Sequence, residues 1–120
     1  MRLGSRKITE TLEAAEALAK ENVSAEVIDV ATLKPLDMAT ILASVRKTGR
    51  CAIVHEAPLT GGYGGEIAAR LAEQGILELV APIRRVAGWD TVMPLPRLER
   101  YYMPSPARIA AAARDLLAYQ

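Results

Sequence analysis

Phenylalanine is absent, and aromatic residues make up only 4% of the 120 residues although 51% are hydrophobic. The core must therefore be Ala, Leu, Ile and Val, which suits parallel strands covered by Ala-rich helices. There is a single cysteine, which excludes an intrachain disulfide and a cysteine-rich zinc site and fits a reducing compartment. Cys51 opens an apolar run and reads as an inert core thiol rather than a nucleophile. There is also a single histidine, His55, so no second one can complete a zinc site. An excess of one charge is missing too. Fifteen Lys and Arg stand against 14 Asp and Glu, a net charge of +1, and nothing argues for a nucleic-acid partner. The pair Arg84–Arg85 reads as a solvated strand edge.

No apolar run approaches the ~20 residues of a membrane span. The basic start MRLGSRK leads into an amphipathic helix, not into the apolar segment of a signal peptide. The expectation is one soluble, cytoplasmic domain without a membrane partner, long enough to bury its own core.

The chain is organised around CAIVHEAPLTGGYGG, residues 51–65. Cys51, Ala52, Ile53 and Val54 end in His55–Glu56. Pro58, Thr60 and the glycines Gly61, Gly62, Gly64 and Gly65 follow, and apolar residues then recur at Ile67, Ala68 and Leu71. A buried strand, a turn that exposes backbone and a helix are the simplest reading. In open α/β sheets this strand-to-helix turn is where ligands and partners bind.

Elsewhere, Ile8, Leu12, Ala15 and Leu18–Ala19 recur at helical spacing, and Ala25–Val30 reads as a short β-branched strand. Thr32–Leu36 turns around Pro35. Asp37 is placed to cap a second helix carrying Ile41, Leu42 and Val45, with Lys47 and Gly49 at its end. The third helix spans about 65 to 74 and ends at Gly75. Leu79–Val86 reads as a strand that Pro82 confines to a sheet edge or to pairing after the proline. From Ala87 to Pro104 the chain reads as irregular, and a loop this long is usually functional or packed against something. Ser105 caps a last helix with Pro106 at its first position and Ile109, Ala112–Ala113 and Leu116–Leu117 as its buried stripe. The order α-β-α-β-α-β-α is that of a three-layer sheet with parallel crossovers, but three strands are few for such a sheet.

His55 and Glu56 offer an acid–base pair, an interface or structural hydrogen bonding; neighbours in an extended chain point to opposite faces and rarely grip one metal. Gly62-Tyr63-Gly64 supplies the start of a dinucleotide fingerprint, yet Ile67 stands where its third glycine belongs, and no lysine follows as a phosphate loop requires. The helix start could still hold a small anion. Ser44, Ser105 and Thr60 have no histidine nearby in sequence to form a hydrolase triad. Trp89 and Tyr101–Tyr102 read either as interface anchors or as cover for a core poor in aromatics.

Beyond these readings, Ala25–Asp37 (AEVIDVATLKPLD), Thr48–Gly65 (TGRCAIVHEAPLTGGYGG), Glu66–Arg70 (EIAAR), Ala81–Pro96 (APIRRVAGWDTVMPLP) and Tyr102–Ala107 (YMPSPA) closely resemble one family. It is the C-terminal, transketolase-type domain of the β subunit of thiamine-diphosphate-dependent 2-oxoacid dehydrogenases, and the resemblance covers roughly residues 9 to 118. It implies a mostly parallel three-layer α/β sheet. It implies a parent oxidoreductase of α2β2 form that oxidatively decarboxylates a 2-oxoacid and passes the acyl group to lipoyl groups. The resemblance places thiamine diphosphate and Mg in the α chain and in the N-terminal β domain, so this chain would carry no catalytic or cofactor-binding residue and would be inactive alone. Its expected work is β–β and α–β contact and docking of the dihydrolipoyl acyltransferase core through the peripheral-subunit-binding domain. His55, Glu56, Thr60, Gly61, Gly62, Tyr63 and Gly64 are the expected interface turn, with Trp89, Asp90, Tyr101 and Tyr102 secondary.

The family domain opens with a strand just before the first helix, where this chain has MRLGSRK. Residues 1–8 are therefore read as a non-family segment or a cloning scar, and 9–120 as the domain. The expectation is a sheet lacking that first strand, a sheet of altered pairing, or one whose gap a neighbouring chain fills by strand exchange, as in a homodimer. Two rival readings stand beside the assembly domain. One is a free-standing α/β module that binds a small anion at the glycine turn; the other is a small enzyme using His55 and Glu56.

Overall fold

A computed structural model describes residues 2–3, 8–92 and 94–120. Its centre is a parallel sheet of four strands among the described residues: β1 (Arg2–Leu3), β2 (Asp29–Val30), β3 (Ala52–Pro58) and β4 (Arg84–Gly88), in the order β2-β1-β3-β4. Right-handed crossovers are the rule for such connections, and the helices α1 (Ile8–Ala19), α2 (Met38–Thr48), α3 (Tyr63–Gly75) and α5 (Pro106–Ala118) form two covering layers. The three-layer α/β reading holds.

Local chemistry sets the helix ends. The Asp37 carboxylate accepts from the Thr40 N–H at 3.1 Å and opens α2, and Gly49, with φ 69°, closes it by donating its N–H to Val45 O at 2.7 Å. Ser105 accepts from the Arg108 N–H at 3.2 Å ahead of Pro106, as its cap role requires. On β3, side chains alternate. Cys51 and Ile53 meet Ile41 and Val45 of α2 and Ile67 and Leu71 of α3, while Val54 meets Ala14 and Leu18 of α1 and Ile109 of α5. Burying Ile53, Ile67 or Leu71, each fully enclosed, contributes about 1.5–3 kcal/mol apiece. Cys51 is buried, and loss of water pushes its thiol up to about 11, the inert behaviour its apolar run implied.

Four expectations need correction. The slot of the first strand is not empty: Arg2–Leu3 lies between β2 and β3 and pairs with both, Arg2 with Asp29 and Val54, Leu3 with Val30 and His55. Strand exchange therefore loses that vacancy as its motive; Met1 and residues 4–7 of the segment 1–8 lie outside the described residues. Second, Ala25–Val30 contributes only Asp29–Val30 to the sheet, because its neighbour is itself two residues long. Third, Leu79–Val86 becomes β4 at Arg84–Gly88, after a 3-10 turn at Ile76–Glu78. Pro82 cannot donate to a ladder, so pairing starts beyond it, at Arg84 N–H to Cys51 O, 3.1 Å. β4 is an edge strand and Arg84 and Arg85 are exposed on it, as read. Fourth, the segment 87–104 is not wholly irregular: a 3-10 turn at Pro96–Leu98 leads into a single helical turn, α4 (Glu99–Tyr102).

Candidate functional site

The turn between β3 and α3 sits at the carboxyl end of the sheet and is fastened on three sides. Asp90, just beyond β4, accepts the Thr60 N–H on Oδ1 at 2.9 Å and the Thr60 hydroxyl on Oδ2. These bonds, led by the one from the hydroxyl, hold the Asp90 carboxyl below the usual range. The Leu59 N–H donates to Gly88 O at 3.2 Å, and Arg85 Nη1 donates to Leu59 O at 3.2 Å. Tyr63 crosses to the opposite crossover, its hydroxyl donating to Leu33 O at 2.8 Å.

Glycine is required here for two separate reasons. Gly61 has φ +76°, a conformation that side chains with a Cβ rarely adopt. Gly62 and Gly64 instead lie flat on the His55 imidazole. A Cβ on Gly64 would stand 2.5 Å from His55 Nε2 and 2.7 Å from Cδ2, and one on Gly62 would overlap His55 Cε1 and Pro58 O. The histidine is the floor of the turn. It is 3% exposed, and neither ring nitrogen has a hydrogen-bond partner among the described residues. Burial lowers its pKa; the opposing pull of the Ala57 backbone falls short of a hydrogen bond.

The seven turn residues thus come together but divide in role. Thr60, Gly61, Gly62 and Tyr63 are exposed or half-buried, while His55 and Gly64 are buried and reach no partner directly. That corrects their expected place on an interface and denies His55 the access an acid–base catalyst needs. Glu56 is half-buried and points away from His55, as alternation demands. Among the secondary residues, Trp89 and Tyr101 are exposed, 55% and 61%, and joined by a bond from the indole N–H to Tyr101 O at 2.9 Å. Tyr102 is 5% exposed, with its ring against Gly88; it covers the core and is no surface anchor.

Sequence reading missed several contributors. Arg108 donates to Ala87 O at 2.8 Å and lays its guanidinium 4.4 Å from the Trp89 ring centre, fixing a large exposed side chain. Leu33 and Leu59 are exposed beside the turn, above an open concavity of about 1110 Å³ shared with Pro35, Leu36, Tyr63 and Arg70. Arg70 is tied to Glu66 at 2.8 Å. Helical spacing gave Arg108 no distinction, and Leu33 lies in what the sequence marks only as a proline turn. Among the described residues no group of three or more His, Cys, Asp or Glu could hold a metal, and no helix is long and apolar enough to cross a membrane.

Comparison with known proteins agrees with this architecture. The family described as "Transketolase, C-terminal domain" matches residues 4–109. The pyruvate dehydrogenase E1 component subunit beta of Staphylococcus epidermidis is 45% identical over 112 residues, 93% of this chain and 34% of that protein. The Staphylococcus aureus protein of the same description is 43% identical over the same shares. This chain thus spans about a third of the length of these curated relatives. Among solved structures, a chain described as a split gene transketolase, an inactive β4 tetramer, superposes with a TM-score of 0.84 at 30% identity. It covers 98% of this chain and 37% of its own.

Proposed function

The chain belongs to the transketolase C-terminal domain family, and from that premise we propose that it serves as the assembly domain of a pyruvate dehydrogenase E1 β-like subunit. In this reading the turn Thr60–Tyr63 and the platform of Trp89 and Tyr101 meet neighbouring α and β subunits. The same end of the sheet docks the peripheral-subunit-binding domain of a dihydrolipoyl acyltransferase. The parent acts in the cytoplasm as a 2-oxoacid dehydrogenase, with thiamine diphosphate and Mg held by other parts of the assembly. The residues described here form no metal cage, and no catalytic step is assigned to them.

One observation carries the reading. The turn is held rigid from beneath by buried His55 and from the side by Asp90, while its outer face presents Leu33, Leu59 and, beyond Asp90, Trp89 and Tyr101 to solvent. Exposed apolar groups on a preorganised frame are the makings of a contact surface. Calorimetric titration with the peripheral-subunit-binding domain of a cognate acyltransferase tests it. Saturable binding weakened by Trp89→Ala supports docking on this face; no heat and no co-elution, either with this domain or with the α subunit, counts against it.

The rival small-anion reading has its own support, since Lys34, Arg70 and Arg85 line the same concavity beside the start of α3. A thermal-shift screen with nucleotides and inorganic phosphate separates the two, because an assembly surface should not respond.

A further inference from the structure

The concavity beside the glycine turn has two walls of different origin. One is the crossover segment Leu33–Leu36, folded back on itself by a bridge between Leu33 and Leu36. The other is the turn from Leu59 to Gly62. The Tyr63 hydroxyl, at the start of α3, ties the first wall by donating to Leu33 O at 2.8 Å, and Arg85 ties the second by donating to Leu59 O at 3.2 Å. Both walls are therefore set before anything binds, so a partner loses little affinity to ordering them.

Positive charge is concentrated here. Lys34, Arg70 and Arg85 line the concavity against a single carboxylate, Glu66, which Arg70 already holds at 2.8 Å. Lys34 and Arg85 have no ion-pair partner among the described residues. Asp90 lies in the field of Arg85 but has both carboxylate oxygens bonded to Thr60. The whole chain carries only +1, so the local excess of cations belongs to this place and not to the composition. Among the cations the surface is apolar: Leu33 and Leu59 are 41% and 36% exposed, beside Pro35 and half-buried Leu36.

Size decides what kind of anion fits. Pockets that enclose a small ligand measure roughly 300–1,000 Å³ and cover most of its surface; this one is about 1110 Å³ and open. A lone phosphate there stays in contact with water and is screened by salt, whereas a chain segment covers the leucines and meets the cations together. On the assembly reading above, on which this rests, we propose that the concavity seats an acidic segment of a partner subunit. Its Asp or Glu side chains pair with Lys34 and Arg85, and a leucine-type side chain lies between Leu33 and Leu59.

The probe is the synthetic peptide Gly-Asp-Leu-Glu-Asp-Leu-Gly, capped at both ends and added to the isotope-labelled chain while amide shifts are followed by NMR. The expected result is saturable shifts confined to the two walls and the start of α3, with binding about fivefold weaker to Lys34→Glu. A control peptide with Asn and Gln in place of Asp and Glu should give none. Lys34 is exposed, so the substitution should leave the fold intact; if the variant does not fold, the control peptide decides alone. No saturable shift at about 5 mM peptide, an equal response to the control, or equal affinity for Lys34→Glu would overturn the proposal. The same shifts from inorganic phosphate would overturn it in favour of a free anion. Concentration-dependent shifts of these amides without peptide would make a second copy the occupant, and loss of the response in a longer polypeptide carrying this domain would place the occupant in the same chain; either overturns it. Calorimetric titration with the α subunit and the peripheral-subunit-binding domain decides the assembly reading separately, whatever the peptide does.

Discussion

Gly64 and Gly65 are adjacent, both in the first turn of α3, yet replacing them by alanine should have opposite effects. At Gly65 a Cβ meets Arg85 Nη1 at 3.6 Å, ordinary contact, so Gly65→Ala gains helix propensity worth up to about 1 kcal/mol. At Gly64 the same atom falls 2.5 Å from His55 Nε2, 2.7 Å from its Cδ2 and 3.3 Å from Ile53 Cγ2. The imidazole is 3% exposed and Ile53 fully buried, so neither can swing aside. Overpacking of this kind costs about 1–3 kcal/mol, which the propensity gain offsets only in part. Gly64→Ala should therefore lose about 1–2 kcal/mol, or about 4–8 °C in Tm, while Gly65→Ala holds or gains. Urea and thermal unfolding by circular dichroism measure both. Adding His55→Ala should relieve Gly64→Ala, giving a coupling of about 1 kcal/mol or more in a double-mutant cycle. Equal effects at the two glycines, or strict additivity with His55→Ala, would refute the account of His55 as the floor of the turn.

Four further outcomes are expected. His55 has its pKa lowered by burial, so the unfolded chain takes up the proton first. Stability should fall as pH drops below the ordinary histidine value near 6.5, by at most about 1.4 kcal/mol per pH unit until the folded-state pKa is passed. A His55→Gln variant should lose that component in pH-dependent denaturation. Asp90→Ala removes both acceptors of Thr60, and hydrogen exchange at the Thr60 amide should speed up while that of α5 stays unchanged. Ser105→Ala deletes the cap of α5 at a cost of about 1 kcal/mol by urea titration. Cys51, buried with its thiol pushed up to about 11, should react with a thiol reagent at pH 8 only as fast as the domain opens; rapid labelling of folded protein would contradict its burial.

What could be read from the sequence was what local chemistry decides. Asp37, Gly49, Ser105 and Pro106 announced their helix ends, and the unbroken apolar run Cys51–Val54 announced a buried strand. Placement of the glycine turn at the carboxyl end of that strand followed as well. Partner-dependent features could not be read this way. Ala25–Ile28 has strand-like residues but no neighbour to bond to, and Arg2–Leu3 looks like nothing yet fills a central slot because two edges flank it. His55 could be singled out only as unusual; that its ring supports Gly62 and Gly64 depends on a fold-back that spacing alone does not reveal. Tyr101 and Tyr102 are neighbours in sequence, and only the short helix α4 sends one outward and the other inward.

The clasps on the turn have a consequence for when it forms. Thr60 to Asp90 and Tyr63 to Leu33 each join residues 30 apart in the chain, and each closes a loop containing a whole helix. Neither can hold until the strands on either side are aligned, so the turn should be among the last parts to set during folding. A subunit that recognises the finished turn would then admit only chains whose sheet is already complete, and assembly itself would screen for correct folding.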